Sequence, residues 1–198
     1  MERMRREELE ELYVYKRKSA KEIADIFSCS ENKINYWLKK YDIPKRSISE
    51  AVYQRSNPKG DPFRIMQPKT HNESFLLGLG VGLYWGEGTK RNRYAIRLGN
   101  TDPRLIKKFI EFLEESYAID KSKLRFSLQV FSDMSPQKTL RFWIRELGFP
   151  RSQFQKVIIT PSGSLGTYRY KTKHGVLTVY YGNKRLRDLL CNAIDELH

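Results

Sequence analysis

This sequence has few of the side chains that build metal clusters, disulfide frameworks or nucleophilic triads. It contains two cysteines, Cys29 and Cys191, and three histidines at scattered positions. That count excludes a Cys/His zinc site, and it is typical of a protein from a reducing cytoplasm rather than of a disulfide scaffold. The scattered histidines also leave no local signature of a Ser/His/Asp or Cys/His catalytic triad.

Long apolar runs and a leader segment are also missing. No apolar stretch approaches the roughly 20 residues that a membrane-spanning helix needs. The N-terminus, Met-Glu-Arg-Met-Arg-Arg, is too highly charged for a signal peptide. We therefore expect a cytoplasmic protein with no membrane partner.

Acidic residues are scarce relative to basic ones. Lys and Arg number 37 against 23 Asp and Glu, which gives a formal net charge of +14. The segment from Leu147 to Arg187 has no acid at all, and within it Arg169, Lys171 and Lys173 alternate as they would on one face of an extended segment. Such a balance points to a polyanionic partner. We predict one cationic, polar sheet surface formed by Arg93, Arg97, Lys123, Arg125, Gln129, Arg169, Lys171 and Lys173.

The organising stretch of the chain is 75–90, which is almost wholly apolar or glycine. Gly78, Gly82 and Gly86 are four residues apart, so on a helix they share one face. Each glycine costs a helix roughly 0.8–1 kcal/mol relative to alanine, and close approach of another helix is the usual reason for such a stripe. Thr70 to Glu73 reads as a capping box. We predict a helix that is apolar on all sides and therefore buried.

Glu87 stands at the C-terminal end of this predicted helix. Helix C-termini favour cations, so a carboxylate there is disfavoured by a few tenths to about 1 kcal/mol. A divalent cation held by Glu87 and the backbone carbonyl of Gly86 would resolve the conflict, since both are hard oxygen ligands. The alternative is a solvated glutamate that happens to follow the last turn.

The stretch Val81-Gly-Leu-Tyr-Trp-Gly-Glu-Gly88 resembles the motif of the LAGLIDADG homing endonucleases. In that family the helix packs against its twin at a two-fold or pseudo-two-fold axis, and the terminal acid binds the catalytic metal. Matched residue by residue, Gly82 is the first motif glycine, Glu87 the metal-binding acid and Gly88 the final glycine. Trp85 departs from the motif at its first Asp, which is not the catalytic position.

The resemblance extends over residues 71–198 and implies a sheet that straddles DNA, with helices behind it. The chain carries one copy of the motif, which implies a homodimer. Two departures are a short segment after the motif, 88–93, and an additional predicted helix at 136–147. The chain is also similar to lapsed members of this fold that pair it with a helix-turn-helix and regulate transcription.

Residues 1–50 are typical of a three-helix helix-turn-helix domain. Ser19 to Glu22 is a capping box that opens the second helix, with Ile23, Ala24, Ile26 and Phe27 expected inside. The third helix, 31–41, turns Ile34, Trp37 and Leu38 inward. A plain three-helix bundle with a solvated basic face is the alternative. The predicted DNA contacts are Asn32, Lys33, Asn35, Tyr36, Lys39, Lys40, Lys45 and Arg46.

The overall prediction is an α+β protein with a helix-turn-helix domain at 1–50, a linker at 51–70 and a LAGLIDADG-like domain at 71–198. A short helical turn at 48–53 leads into the linker. In the last domain we expect a basic antiparallel sheet with strands at 94–99, 123–131, 154–160 and 176–181. Helices at 105–117, 136–147 and 183–197 lie behind it.

Three functions follow as hypotheses. The first is a sequence-specific, nucleoid-associated protein that binds double-stranded DNA as a homodimer, with Mg²⁺-dependent endonuclease activity if catalytic. In that case Glu87 holds the metal, and Lys156, Arg97 or Gln129 polarises the attacking water. The second is a catalytically inactive transcription regulator with the same fold. The third is an RNA-binding protein.

Overall fold

The computed structural model describes residues 4–58, 60–162 and 172–196. The chain divides into two units, Met1–Pro62 and Phe63–His198. The end of the predicted linker therefore belongs to the second unit. Phe63 is buried in that unit's core, and the backbone N–H groups of Arg64 and Met66 donate to carbonyls at the end of a helix, 2.8 and 2.9 Å away.

Helices form the first unit. They are α1 (Arg6–Glu10, continued by a π-helical segment Glu11–Tyr15), α2 (Ala20–Ile26), α3 (Glu31–Lys40) and α4 (Ile48–Ser56). Ser19 caps α2 in the predicted capping box, and its hydrogen bonds to Glu22 lower the pKa of that carboxyl. Leu9, Ile23, Ile34 and Leu38 are fully buried.

Two expectations for this unit were wrong. Ile26 is 52% exposed rather than inside, because α2 ends there and its core face is completed by Ile23 and Ala24. The predicted helical turn is a full helix, α4, capped by the Ser47 hydroxyl. This helix contributes no buried residue to the core.

The second unit contains the remaining helices and all four strands of the described residues. They are α5 (His71–Glu87), β1 (Ile96–Asn100), α6 (Pro103–Tyr117), β2 (Leu124–Phe131), α7 (Pro136–Leu147), β3 (Ile158–Thr160), β4 (Val176–Tyr181) and α8 (Lys184–Asp195). The molecule is thus α+β, as predicted, and the bounds of α7 and β4 match the predicted ones. No described helix is long and apolar enough to cross a membrane.

The sheet is mixed, with the order β1-β4-β2-β3. The pairs β1/β4 and β4/β2 are antiparallel, whereas β2/β3 is parallel. The expectation of a purely antiparallel sheet was therefore wrong. The reason is α7, which lies between β2 and β3 in the chain and forms the crossover that a parallel pair needs.

One face of the sheet carries the core. Strand register places Leu98, Val179 and Phe126 in one row, and all three are fully buried. They belong to a single apolar cluster that also includes Tyr84 of α5 and Phe109 of α6. Since side chains alternate along a strand, the residues between them lie on the opposite face.

Candidate functional site

The face of the sheet away from the core carries a row of two arginines and a tyrosine. Register places Arg97 of β1, Tyr180 of β4 and Arg125 of β2 side by side. The Arg97 guanidinium lies 4.9 Å from the centroid of the Tyr180 ring, within range of a cation–π interaction. Among the described residues, its buried Nε has no hydrogen-bond partner.

Neutral polar side chains continue this face. Thr178 of β4 pairs in register with Ser127 of β2. Further along β2, the Gln129 amide donates to the Thr160 hydroxyl at 2.9 Å. None of the four strands contains an acidic residue, so the polar groups of this face are neutral or cationic.

The other predicted cations of the sheet lie around these strands. Arg93, Lys123, Lys156 and Lys173 are exposed. Arg125 is also exposed, although its Nη1 donates to the carbonyls of Ser122 and Leu124, both at 2.7 Å. Arg169 and Lys171 lie outside the described residues.

The end of α5 runs directly onto the free edge of β1. Gly88 forms an antiparallel bridge with Leu98, and the Thr89 N–H donates to the Arg97 carbonyl at 2.8 Å. Glu87 is the last residue of α5 and is exposed. Within the described parts of the chain, its carboxylate has no hydrogen bond or ion pair, so it is free to interact with a ligand.

The positive charge at this helix end comes from Lys90. Its Nζ donates to the carbonyl of Trp85, and a cation at that place is favourable for the helix dipole. The dipole argument from the sequence offered a metal ion there as one way to resolve the conflict. Lys90 supplies the positive charge, so the position of Glu87 by itself does not require a bound cation.

Arg187 of α8 holds the loop after Glu87. Its Nη2 donates to the Lys90 carbonyl at 2.6 Å and its Nε to the Asn92 carbonyl at 3.2 Å. A third hydrogen bond, 3.0 Å long, runs to the Asp188 carboxylate. Burial alone would raise the pKa of Asp188, but hydrogen bonds from Lys184 and Arg187 outweigh it and lower the pKa.

The sheet order separates Glu87 from two of the residues predicted to polarise water, Gln129 and Lys156. Glu87 lies just outside β1, where Gly88 pairs with Leu98, whereas Gln129 lies on β2 and Lys156 precedes β3 at the far edge. With strands about 4.8 Å apart, these separations are roughly 14 and 19 Å. Gln129 and Lys156 therefore do not contact a water beside Glu87 of the same chain.

One chain offers few side chains that could coordinate a metal ion. Across the described residues, no group of three His, Cys, Asp or Glu side chains is placed to hold an ion. A single chain offers the Glu87 carboxylate and the neighbouring Gly86 carbonyl. Mg²⁺ is often bound by one or two carboxylates together with phosphates and water, so these donors fit Mg²⁺ only when a nucleic acid or a second Glu87 completes the site.

The glycine stripe of α5 is open. A Cβ at Gly78, Gly82 or Gly86 would meet nothing within 4 Å. The close approach inside the chain occurs instead at Gly80, where a Cβ would collide with the Phe112 ring.

The prediction that α5 is buried on all sides was accordingly wrong. Phe75 is 64% exposed and Trp85 is 45% exposed, and both flank the open stripe. This helix face therefore presents three open glycines and two partly exposed rings to its surroundings.

In the first unit, the outer side of α3 carries most of the predicted contacts. Asn32, Tyr36, Lys39 and Lys40 are exposed, and Lys33 and Asn35 are half-buried. The Lys40 Nζ lies 4.7 Å from the centroid of the Trp37 ring. Lys45 is exposed in the segment that follows.

Arg46 has a different role from the predicted one. Its guanidinium lies 4.1 Å from the centroid of the Tyr13 ring. Its N–H groups donate to the carbonyls of Arg17 and Lys18 and to the Gln54 side chain. These partners within the chain use the donors that a phosphate would need, so we assign Arg46 a structural role.

Sequence reasoning missed Tyr180, Gly80 and the loop-holding role of Arg187. The alternation of β4 was a usable signal for Tyr180, because it places this residue opposite the buried Val179. No local pattern indicated the other two, since their partners lie 32 and 97 positions away in the chain. Comparisons of this chain with protein-family models, curated proteins and solved structures find no match.

Proposed function

We propose that this chain is a sequence-specific protein that binds double-stranded DNA and works as a homodimer. The observation that carries the proposal is the acid-free polar face of the sheet, with Arg97, Tyr180 and Arg125 in one row. A two-stranded ribbon fits the DNA major groove. Arginines contact phosphates and guanine edges, and Gln129 suits an adenine edge.

The first unit supports the same function. Helix α3 follows α2 after a short turn, with capped N-termini on both helices. Its exposed side chains include Asn32 and Lys39, types that pair with base edges and phosphates. A helix-turn-helix would place such a helix in the major groove.

The open face of α5 supports a dimer. Two copies related by a two-fold axis would cover Phe75, Trp85 and the bare glycines of both helices at once. Backbones approach closely where glycines face each other. The same symmetry would bring the two Glu87 carboxylates towards the dimer axis.

A Mg²⁺-dependent endonuclease is the second candidate, favoured by the exposed Glu87 carboxylate at the sheet edge. Glu87, the Gly86 carbonyl, the partner copy's carboxylate and DNA phosphates would hold the ion. When bound, Mg²⁺ supplies charge neutralisation at the scissile phosphate. The chain's own residues position Glu87, through Lys90 at the helix end and Arg187 on the loop.

The test begins with selection of bound sequences from a random duplex pool by the full-length protein. Fluorescence anisotropy then compares the selected duplex, an unrelated duplex and a structured RNA at several salt concentrations. We expect the selected duplex to bind most tightly, with affinity that falls steeply with salt. Tighter binding to the RNA would overturn the DNA assignment in favour of an RNA-binding protein.

Catalysis is tested on the selected duplex with and without Mg²⁺. Cleavage by the natural protein that is lost in Glu87→Gln, and retained in the control Glu115→Gln on α6, would establish the endonuclease. Specific binding without any cleavage would identify a regulator instead. In both cases we expect Glu87→Gln to bind the duplex at least as tightly, because it removes a negative charge beside DNA.

A further inference from the structure

The first unit contains an open groove of about 850 Å³. One wall is the end of the first helix and the start of α2, residues 16–22, and the other wall is α4. Asn35 of α3 also lines it. Apart from Asn35, Lys45 and Arg46, none of its lining residues was predicted to contact a ligand.

The groove is strongly cationic. Seven Lys and Arg side chains line it against two acids, Glu22 and Glu31. The Glu22 carboxylate accepts a 2.7 Å hydrogen bond from the Ser19 N–H in the capping box. Lys21, Lys45 and Arg55 are exposed, and among the described residues none has a carboxylate partner. An anionic ligand would therefore meet free cations on both walls.

Arg46 joins the two walls. It donates to the carbonyls of Arg17 and Lys18 on one side and to Gln54 of α4 on the other. Its own backbone N–H donates to the Tyr13 hydroxyl at 3.1 Å. The distance between the walls is thus set by one partly buried network of hydrogen bonds.

Helix α4 presents an apolar strip to the groove. Ile48 is 86% exposed and Val52 is 49% exposed, and both line it. Four residues apart, they share one helix face. A nine-residue helix without buried side chains is marginal in water, so contact of this strip with a ligand would stabilise it.

We infer that this groove binds one sugar–phosphate strand of a DNA duplex. Such a strand alternates anionic phosphates with apolar deoxyribose carbons, and the groove offers free cations beside an apolar strip. Lys21, Lys45 and Arg55 face the phosphates, and Ile48 and Val52 face the sugars. Asn35 lies on α3 and also lines this groove. The strand bound in the groove would therefore belong to the same duplex that α3 contacts. The inference rests on the proposed DNA binding.

The test measures affinity of the full-length protein for its selected duplex from low to moderate salt. The groove variant is Lys21→Gln/Lys45→Gln/Arg55→Gln, and the control variant Arg5→Gln/Lys138→Gln/Arg145→Gln removes the same charge from exposed sites outside the groove. Each lost phosphate contact lowers the slope of log K against log salt by about 0.9. We expect a loss of about 2–3 in slope and at least tenfold weaker binding for the groove variant, with the control close to the natural protein.

A second variant, Ile48→Gln/Val52→Gln, tests the apolar strip without a change of charge. It is expected to bind several-fold more weakly with an unchanged salt slope. Since α4 buries no residue, this change leaves the core intact. A groove variant that keeps the natural slope and affinity would overturn the inference while DNA binding stands. Absence of duplex binding by the natural protein would overturn both.

Discussion

The Nη2 of Arg187 donates a 2.6 Å hydrogen bond to the backbone carbonyl of Lys90. This contact ties α8 to the loop that follows Glu87. A second bond, to the Asn92 carbonyl, fixes the loop at another point. Because Lys90 also caps the end of α5, one guanidinium determines where both the loop and the helix end lie.

Arg187→Gln should loosen this loop. Hydrogen bonds from charged groups contribute about 1.5–3 kcal/mol each, so we expect the free energy of unfolding to fall by about 2–3 kcal/mol. The Thr89 amide, which donates to β1, should exchange its hydrogen faster. Urea unfolding and hydrogen exchange measure the two effects. In the control Arg145→Gln, on the exposed face of α7, the change should stay within about 0.5 kcal/mol; equal effects in both variants would contradict the assignment.

Replacing two nearby glycines of α5 by alanine should change the stability of the protein in opposite directions. Gly82→Ala places its Cβ in open space and gains helix propensity, so we expect stabilisation by about 0.8–1 kcal/mol in the monomer. Gly80→Ala forces a Cβ into the Phe112 ring and should destabilise by about 1–3 kcal/mol. Chemical unfolding at low protein concentration measures both effects. If both variants are stabilised, or both destabilised, the packing assigned to Gly80 and Gly82 is wrong.

Association through α5 predicts that a large charged side chain on the stripe abolishes the dimer. Gly82→Arg has open space in the monomer, so the fold should be kept while the close approach of a second helix is blocked. Multi-angle light scattering should show a dimer for the natural protein and a monomer for the variant. Gly182→Arg, at another open glycine, is the control and should remain dimeric. A natural protein that is monomeric at micromolar concentration would refute the dimer.

The burial of Tyr84 predicts that the free energy of unfolding falls at alkaline pH. Its side chain is fully buried, and this burial raises the pKa of Tyr84 to about 12. In the unfolded chain a tyrosine ionises near 10. The unfolded state therefore loses the proton first, and stability falls as the pH rises from about 10 through 12.

Tyr84→Phe removes this dependence. At neutral pH the free energy of unfolding of the variant should lie within about 1 kcal/mol of that of the natural protein, because a single hydroxyl is removed. Near pH 11 the difference should shift in favour of the variant by about 1 kcal/mol. Urea titrations at both pH values measure the difference. The exposed Tyr94→Phe is the control, and an equal alkaline gain there would show that Tyr84 is not responsible.

The sequence by itself determined where most of the helices and strands form. Capping boxes at Ser19 and Thr70 marked two helix starts correctly, and alternation marked β2. These signals are local: a cap involves residues three positions apart, and a strand pattern repeats every second residue. The same reasoning identified the exposed glutamate at the end of α5 and the acid-free segment.

Only the tertiary structure decided which of these residues meet. The order β1-β4-β2-β3 separates Glu87 from Gln129 and Lys156, and it depends on pairings between distant segments that no local period encodes. It also decided that Gly80, rather than the Gly78–Gly82–Gly86 stripe, receives a side chain from within the chain. Helical spacing places residues on a common face, whereas the partner of that face is set by long-range packing.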